Sequence, residues 1–129
     1  MVIDTSAIAA ILFDEPERRR FIELIGAASR RLLSAASRVE ATLVIEGRKH
    51  EAGRVDLELF LAEAGIEIVA VTPDHADLAC KAWRRFGKGN HPAALNFGDC
   101  FAYALAKASG EPLLFKGDDF ARTDIAAAV

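Results

Sequence analysis

No apolar run in this chain of 129 residues approaches the ~18 residues that a membrane-spanning helix needs. No basic start followed by an apolar core marks a secretion signal either, so the chain is expected in the cytoplasm and away from membranes. Cysteine is scarce: Cys80 and Cys100 are the only two. They lack the CxxC spacing and the nearby histidines of a zinc or redox site, and both fall in apolar helical patterns as small buried hydrophobes. The histidines, His50, His75 and His91, are scattered and belong to no nucleophile motif, and Ser6 lacks the flanking glycines of a nucleophile elbow. A net charge of −3 provides no global field for nucleic acid. Repeats, low-complexity stretches and linkers are missing as well, which leaves a single domain over 1–129.

What is present is an alternating pattern. With 52% hydrophobic and 27% charged residues the chain can bury a core without staples. Val2-Ile3 reads as a short strand and Ser6 to Phe13 as a helix, and Pro16 opens a second helix. Arg31 to Ser34 is a second strand. Ser37 and Glu40 have the spacing of a capping box for a helix reaching about His50, broken by Gly53 and followed by an amphipathic helix from Val55 to Ala64. Ile66 to Val71 is the clearest strand. Thr72-Pro73 begins a helix to Phe86, Gly87 to Pro92 has the composition of a mobile loop, and Phe97 to Ala108 is a helix apolar on almost every side. Pro112 to Phe115 is a fourth strand, and the alanine-rich tail is a candidate for one more. Strands alternating with helices predict an α/β fold, a parallel sheet wrapped on both faces.

In such a sheet the ligand crevice lies beyond the carboxyl ends of the strands. Asp4 ends the first strand, Glu40 follows the second, and Asp118-Asp119 follow the fourth. Asp99 is the exceptional polar residue of the apolar helix, and strand order alone would put it at the opposite edge of the sheet unless that helix crosses from the carboxyl side. Acids meeting at about 5 Å repel by ~3 kcal/mol per pair at an effective dielectric near 20. Summed over several pairs, this rivals a domain's whole stability of roughly 5–15 kcal/mol. A hard cation such as magnesium or manganese relieves it, and an all-oxygen donor set suits either ion. Such a metal lowers the pKa of a bound water for attack on a phosphodiester. Each acid also has a simpler reading: Glu40 as the partner of Ser37 in a capping box, Asp4 as the cap of the first helix, Asp118 or Asp119 as the cap of the following turn, and Asp99 as an acid favoured by a helix dipole.

Taken together, Val2-Ile3-Asp4-Thr5-Ser6-Ala7, the lone Glu40, Asn96-Phe97-Gly98-Asp99-Cys100-Phe101-Ala102-Tyr103-Ala104-Leu105-Ala106, and Leu114-Phe115-Lys116-Gly117-Asp118-Asp119-Phe120 with Thr123-Asp124-Ile125 resemble PIN-domain proteins of the VapC toxin type over the whole chain. The resemblance implies a three-layer α/β/α PIN-like domain with a central, mostly parallel sheet. It also implies a magnesium-dependent endoribonuclease, manganese being an alternative ion, that forms the toxic half of a type II toxin–antitoxin pair. Asp4, Glu40 and Asp99 match the metal-binding acids. Asp118 is favoured as the fourth, with Asp119 packing the turn, and the reverse assignment stays open. Thr5 and Ser6 match hydroxyls that line the metal pocket or cap the helix, and Asn96 is placed to support Asp99 or to cap its helix. Expected partners are RNA, a VapB-like antitoxin in a hetero-oligomer, and a second copy of the chain. The basic clusters at Arg18-Arg19-Arg20 and Arg84-Arg85 serve either RNA phosphates or an acidic partner.

Two other functions fit parts of the pattern. A non-catalytic PIN-like scaffold that binds RNA or a partner would keep the fold without cutting. A phosphatase using Asp4 as nucleophile would want a second acid two residues on, where this chain has Ser6.

Overall fold

The computed structural model describes residues 1–129. The chain order is β1 (Val2–Ile3), α1 (Thr5–Leu12), α2 (Arg18–Ala27), β2 (Leu32–Ser34), α3 (Ala35–Glu63), β3 (Glu67–Val69), α4 (Pro73–Phe86), α5 (Phe97–Ser109) and β4 (Leu113–Leu114), followed by a 3-10 turn at Phe120–Arg122. The four strands form one sheet in the order β3-β2-β1-β4. Every neighbouring pair is parallel, with Val2 opposite Leu32 and Leu113, and Leu33 opposite Ile68. The expected α/β/α architecture is therefore present.

Strand alternation builds the three layers. Successive side chains point to opposite faces, so Val2, Leu32 and Leu113 pack with α4 and α5 around Ala82, Phe86, Tyr103 and Leu105. Ile3, Leu33 and Leu114 pack with α1, α2 and α3 around Ile8, Ile11, Ile25 and Ile45. Strands of two or three residues suffice because the central ones are covered on both sides. Ile66 to Val71, the clearest strand by composition, shortens to Glu67–Val69 at the sheet edge, where Ile68 is 44% exposed. Its β-branched residues report β propensity, which is not a measure of burial.

The break in α3 lies at His50, with φ 53 and ψ −133, three residues before the expected site at Gly53. Gly53 serves close packing instead. A Cβ there would meet the Ile45 carbonyl oxygen at 2.8 Å and Lys49 Cβ at 2.9 Å, so the glycine lets the second half of α3 turn closely over the first. His50 occupies a backbone region that disfavours side chains, at a cost of about 1 kcal/mol or more. His50→Gly is accordingly expected to raise the melting temperature by roughly 4 °C. An unchanged or lower value in a thermal melt would show that the imidazole repays that strain.

The segment at Gly87 to Pro92 also departs from expectation. Lys88 N donates to the Leu95 carbonyl at 2.9 Å, Leu95 N to Phe86 at 2.9 Å, and the Asn90 side chain to Trp83 at 3.1 Å. With Ala93 and Leu95 fully buried, this is a stapled connection into α5 despite its loop-like composition. The tail adds a single parallel bridge, Leu113 to Ala127, beside β4.

Candidate active site

Asp4 leaves β1 at its carboxyl end and becomes the N-cap of α1, in an extended conformation at φ −84 and ψ 154. Its Oδ2 accepts from Ser6 N at 2.9 Å and from Ser6 Oγ at 2.6 Å. Ser6 Oγ in turn accepts from the backbone N–H of Lys116 at 3.0 Å, which ties β1 to the turn after β4. Capping thus accounts for one carboxylate oxygen. The other, Oδ1, is buried without a partner on a residue only 3% exposed. Burial above all pushes the Asp4 carboxyl up to about 6, against the pull of the Ser6 hydrogen bonds and with the help of the nearby Glu40 charge.

Asp99 stands at the third position of α5 in a reciprocal capping box. Asp99 N donates to Asn96 Oδ1 at 2.8 Å and Asn96 N donates to Asp99 Oδ2 at 3.0 Å. Burial raises its carboxyl to about 7; the Asn96 hydrogen bond opposes the rise, and the charges of Asp4, Glu40 and Asp119 add to it. That set of neighbours answers the question left open by strand order. The start of α5 reaches the carboxyl edge of the sheet, where β1, β2 and β4 deliver the other acids.

Glu40 is half-buried on α3. The capping reading fails for it, because α3 starts earlier than its sequence suggests: Ser34 is the N-cap, accepting from Ala36 N at 3.3 Å, and the Ser37 hydroxyl is buried without a partner. The Glu40 carboxylate instead lies against Gly98, one residue before Asp99.

Asp118 and Asp119 are both exposed. Asp119 is the one whose charge acts on Asp99, and although it precedes the 3-10 turn its side chain makes no capping hydrogen bond. The Thr5 hydroxyl donates to the Ser37 carbonyl at 3.3 Å, fastening α1 to α3. Asn96 caps α5 and in doing so orients Asp99.

The basic clusters are largely engaged within the molecule. Arg85 pairs with Asp124 at 3.2 Å, Arg19 with Glu23 at 3.1 Å, and Arg18 with Asp14 at 3.8 Å. Asp124 also receives the Tyr103 hydroxyl at 2.6 Å and Lys107 at 3.1 Å, a clamp that holds the C-terminal segment on α5.

Two participants have little signal in the sequence: the Lys116 amide, because a backbone donor has no letter of its own, and Gly98, whose only mark is a glycine inside an apolar helical run. As the side chains stand, no group of three acidic, histidine or cysteine residues is tight enough to hold one ion. The donor set is nonetheless of the right chemistry. The acids offer carboxylate oxygens, one of them buried without a partner, and burial together with neighbouring charges penalises the ionised forms of Asp4 and Asp99.

The molecule is thus a parallel three-layer α/β/α domain carrying acids from several elements at the carboxyl edge of its sheet. The PIN domain model matches residues 1–126. The chain belongs to the PIN domain family. It is 56% identical over 126 residues to Ribonuclease VapC30 of Mycobacterium tuberculosis, covering 98% of this chain and 96% of that protein. Among solved structures, Mycobacterium tuberculosis VapC20, described as a Sarcin-Ricin loop cleaving toxin, superposes with a TM-score of 0.77 at 16% identity over 97% of this chain and 95% of that one. VapBC2 from Rickettsia felis, bound to a DNA fragment from its promoter, gives 0.75 at 16% identity over 98% and 94%. At that identity these structures share the fold.

Proposed function

We propose that this chain is an endoribonuclease, the toxin of a type II toxin–antitoxin pair, and that it hydrolyses RNA phosphodiester bonds with a divalent cation held by Asp4, Glu40 and Asp99. The observation that carries this reading is the convergence of acids from the end of β1, from α3 and from α5 at one sheet edge, with a buried Asp4 oxygen left unpartnered. The whole-chain likeness to a named ribonuclease supports it. Asp119 is the better placed fourth acid, since its charge reaches Asp99, and Asp118 lies beside it on the same turn. Magnesium or manganese bound there would activate a water and offset the charge growing on the leaving oxygen. Ser6 and Asn96 hold Asp4 and Asp99 each by one carboxylate oxygen, which leaves the other oxygen of each free to face the ion.

Substrate phosphates need cations that are not already paired. Arg84 and Lys88 enter none of the molecule's ion pairs and line an apolar groove with Asn96 and Phe97 at the start of α5. They are the residues we assign to the RNA backbone. An antitoxin would engage the groove between α1, α2 and the second half of α3, where Ile11, Ile22, Ile25 and Phe60 lie beside Arg18 and Lys49. Val39 and Leu43, four residues apart on α3, are 60% and 70% exposed, an apolar surface suited to a second copy of the chain. No helix is long and apolar enough to cross a membrane, and we place the protein in the cytoplasm with its RNA.

The deciding experiment incubates the purified, antitoxin-free chain with structured RNA in magnesium, manganese or chelator, after sedimentation has established its mass. Discrete fragments that need metal, from a particle of twice the chain's mass, are expected. Intact RNA under every condition would favour the non-catalytic scaffold, and the mass of one chain would remove the homodimer.

A further inference from the structure

Gly98 occupies a helical position where its backbone does not require glycine, since its φ is not positive. In a helix, glycine instead of alanine lowers stability. What the position does require is space. A Cβ built on Gly98 would overlap Glu40 Oε2 and lie 2.5 Å from Glu40 Cδ and 2.9 Å from Oε1. The three nearest atoms all belong to the Glu40 carboxylate, which occupies the place a methyl group would take.

We propose that Gly98 is a positioning residue: its missing side chain seats the Glu40 carboxylate against the start of α5, beside Asp99, and so completes the acidic site. Glu40 comes from α3 and Asp99 from α5, and the glycine is where those helices bring the carboxylates side by side. The assignment rests on the metal-dependent reading above. Because Glu40 is long and flexible, a methyl group at position 98 is expected to displace the carboxylate while leaving the fold intact. Stability and function should therefore move in opposite directions, which a merely structural glycine would not produce.

The test compares wild type, Gly98→Ala, Glu40→Ala and the double variant by manganese titration, thermal melting and RNA cleavage, with a crystal structure of Gly98→Ala. Gly98→Ala is expected to melt no lower than wild type while binding manganese roughly 10- to 100-fold more weakly, the range for loss of support around a metal ligand. Its effect on manganese affinity should vanish in the Glu40→Ala background, as coupling through a shared partner demands. Wild-type manganese affinity in Gly98→Ala, an undiminished effect without Glu40, or a crystal structure with the Glu40 carboxylate unmoved would each overturn the proposal. If wild type cuts and Gly98→Ala cuts equally, the positioning role alone falls. If wild type binds no metal and cuts nothing, the functional reading falls, and the crystal structure still decides where Glu40 is seated.

Discussion

Asp99→Asn is expected to fold as wild type does and to cut RNA at least about a hundredfold more slowly, the effect of removing an electrostatic group aimed at a reaction centre. Two properties of Asp99 separate in this substitution. Its Oδ2 accepts the Asn96 N–H at 3.0 Å, and an asparagine oxygen can accept the same bond, so the capping box that starts α5 survives. Its charge, which faces Asp4, Glu40 and Asp119, is removed. The metal-free variant should therefore melt no lower than wild type at pH 8, where that repulsion is greatest. Asn96→Ala is the natural contrast: it deletes the cap, at a cost of about 1 kcal/mol, but keeps the charge. Circular dichroism melts beside cleavage assays on the same preparations separate the outcomes. A stable, fully active Asp99→Asn protein would sink the catalytic assignment, and an unfolded one would give Asp99 a structural role.

The acids show what can and cannot be read from the chain. Asp4 and the third helix are visible because a strand end and helical periodicity are local properties. The weight due to each acid is not, because capping depends on where a helix starts. The Ser37–Glu40 spacing suggests a box, but Ser34 caps α3, and Glu40 is left with no local reason to be where it is. Asp99 runs the other way: the acid hardest to explain by local structure is in fact engaged, through one carboxylate oxygen, in a capping box with Asn96. Neither observation alone separates function from capping. What sets these acids apart from ordinary caps is that they approach one another, and that is a tertiary property, carried for Glu40 and Asp99 by the contact of α3 with α5.

The same limit explains the choice between Asp118 and Asp119. Adjacent residues on a turn differ in direction only once the turn is built, and here the Lys116 amide, held by Ser6, sets the turn relative to Asp4. Composition likewise predicts strand character at Ile66 to Val71, but the sheet runs out of neighbours there and leaves β3 at the edge. The fold class is legible because alternation of strand and helix is written in the order of the residues. Layer assignment is legible as well, through pairs such as Val2-Ile3 and Leu32-Leu33, whose members enter opposite cores.

Metal-free protein should lose stability as pH rises from about 4 to about 7, and a divalent cation should restore it. Burial raises Asp4 to about 6 and Asp99 to about 7, so both bind protons more tightly when folded than in the unfolded chain, where a carboxyl titrates near 3.9. For acids raised in this way the stabilising contribution is full below the unfolded value and is lost as pH passes the folded value. At about 1.4 kcal/mol per unit, Asp4 alone contributes on the order of 3 kcal/mol, and the more exposed Asp99 adds less than its shift implies. Below about pH 4 the trend should reverse: although burial opposes it, hydrogen bonds from Tyr103 and Lys107 hold Asp124 below its ordinary value, and that clamp opens on protonation. A cation that binds the ionised site only in the folded state adds about 2.7 kcal/mol at a hundred times its dissociation constant. Melting curves in chelator and in manganese from pH 4 to 8 should therefore diverge toward alkaline pH. A flat profile in chelator would mean that the carboxylates are not penalised by burial and mutual repulsion, and coincident curves at pH 8 would mean that no cation occupies the site.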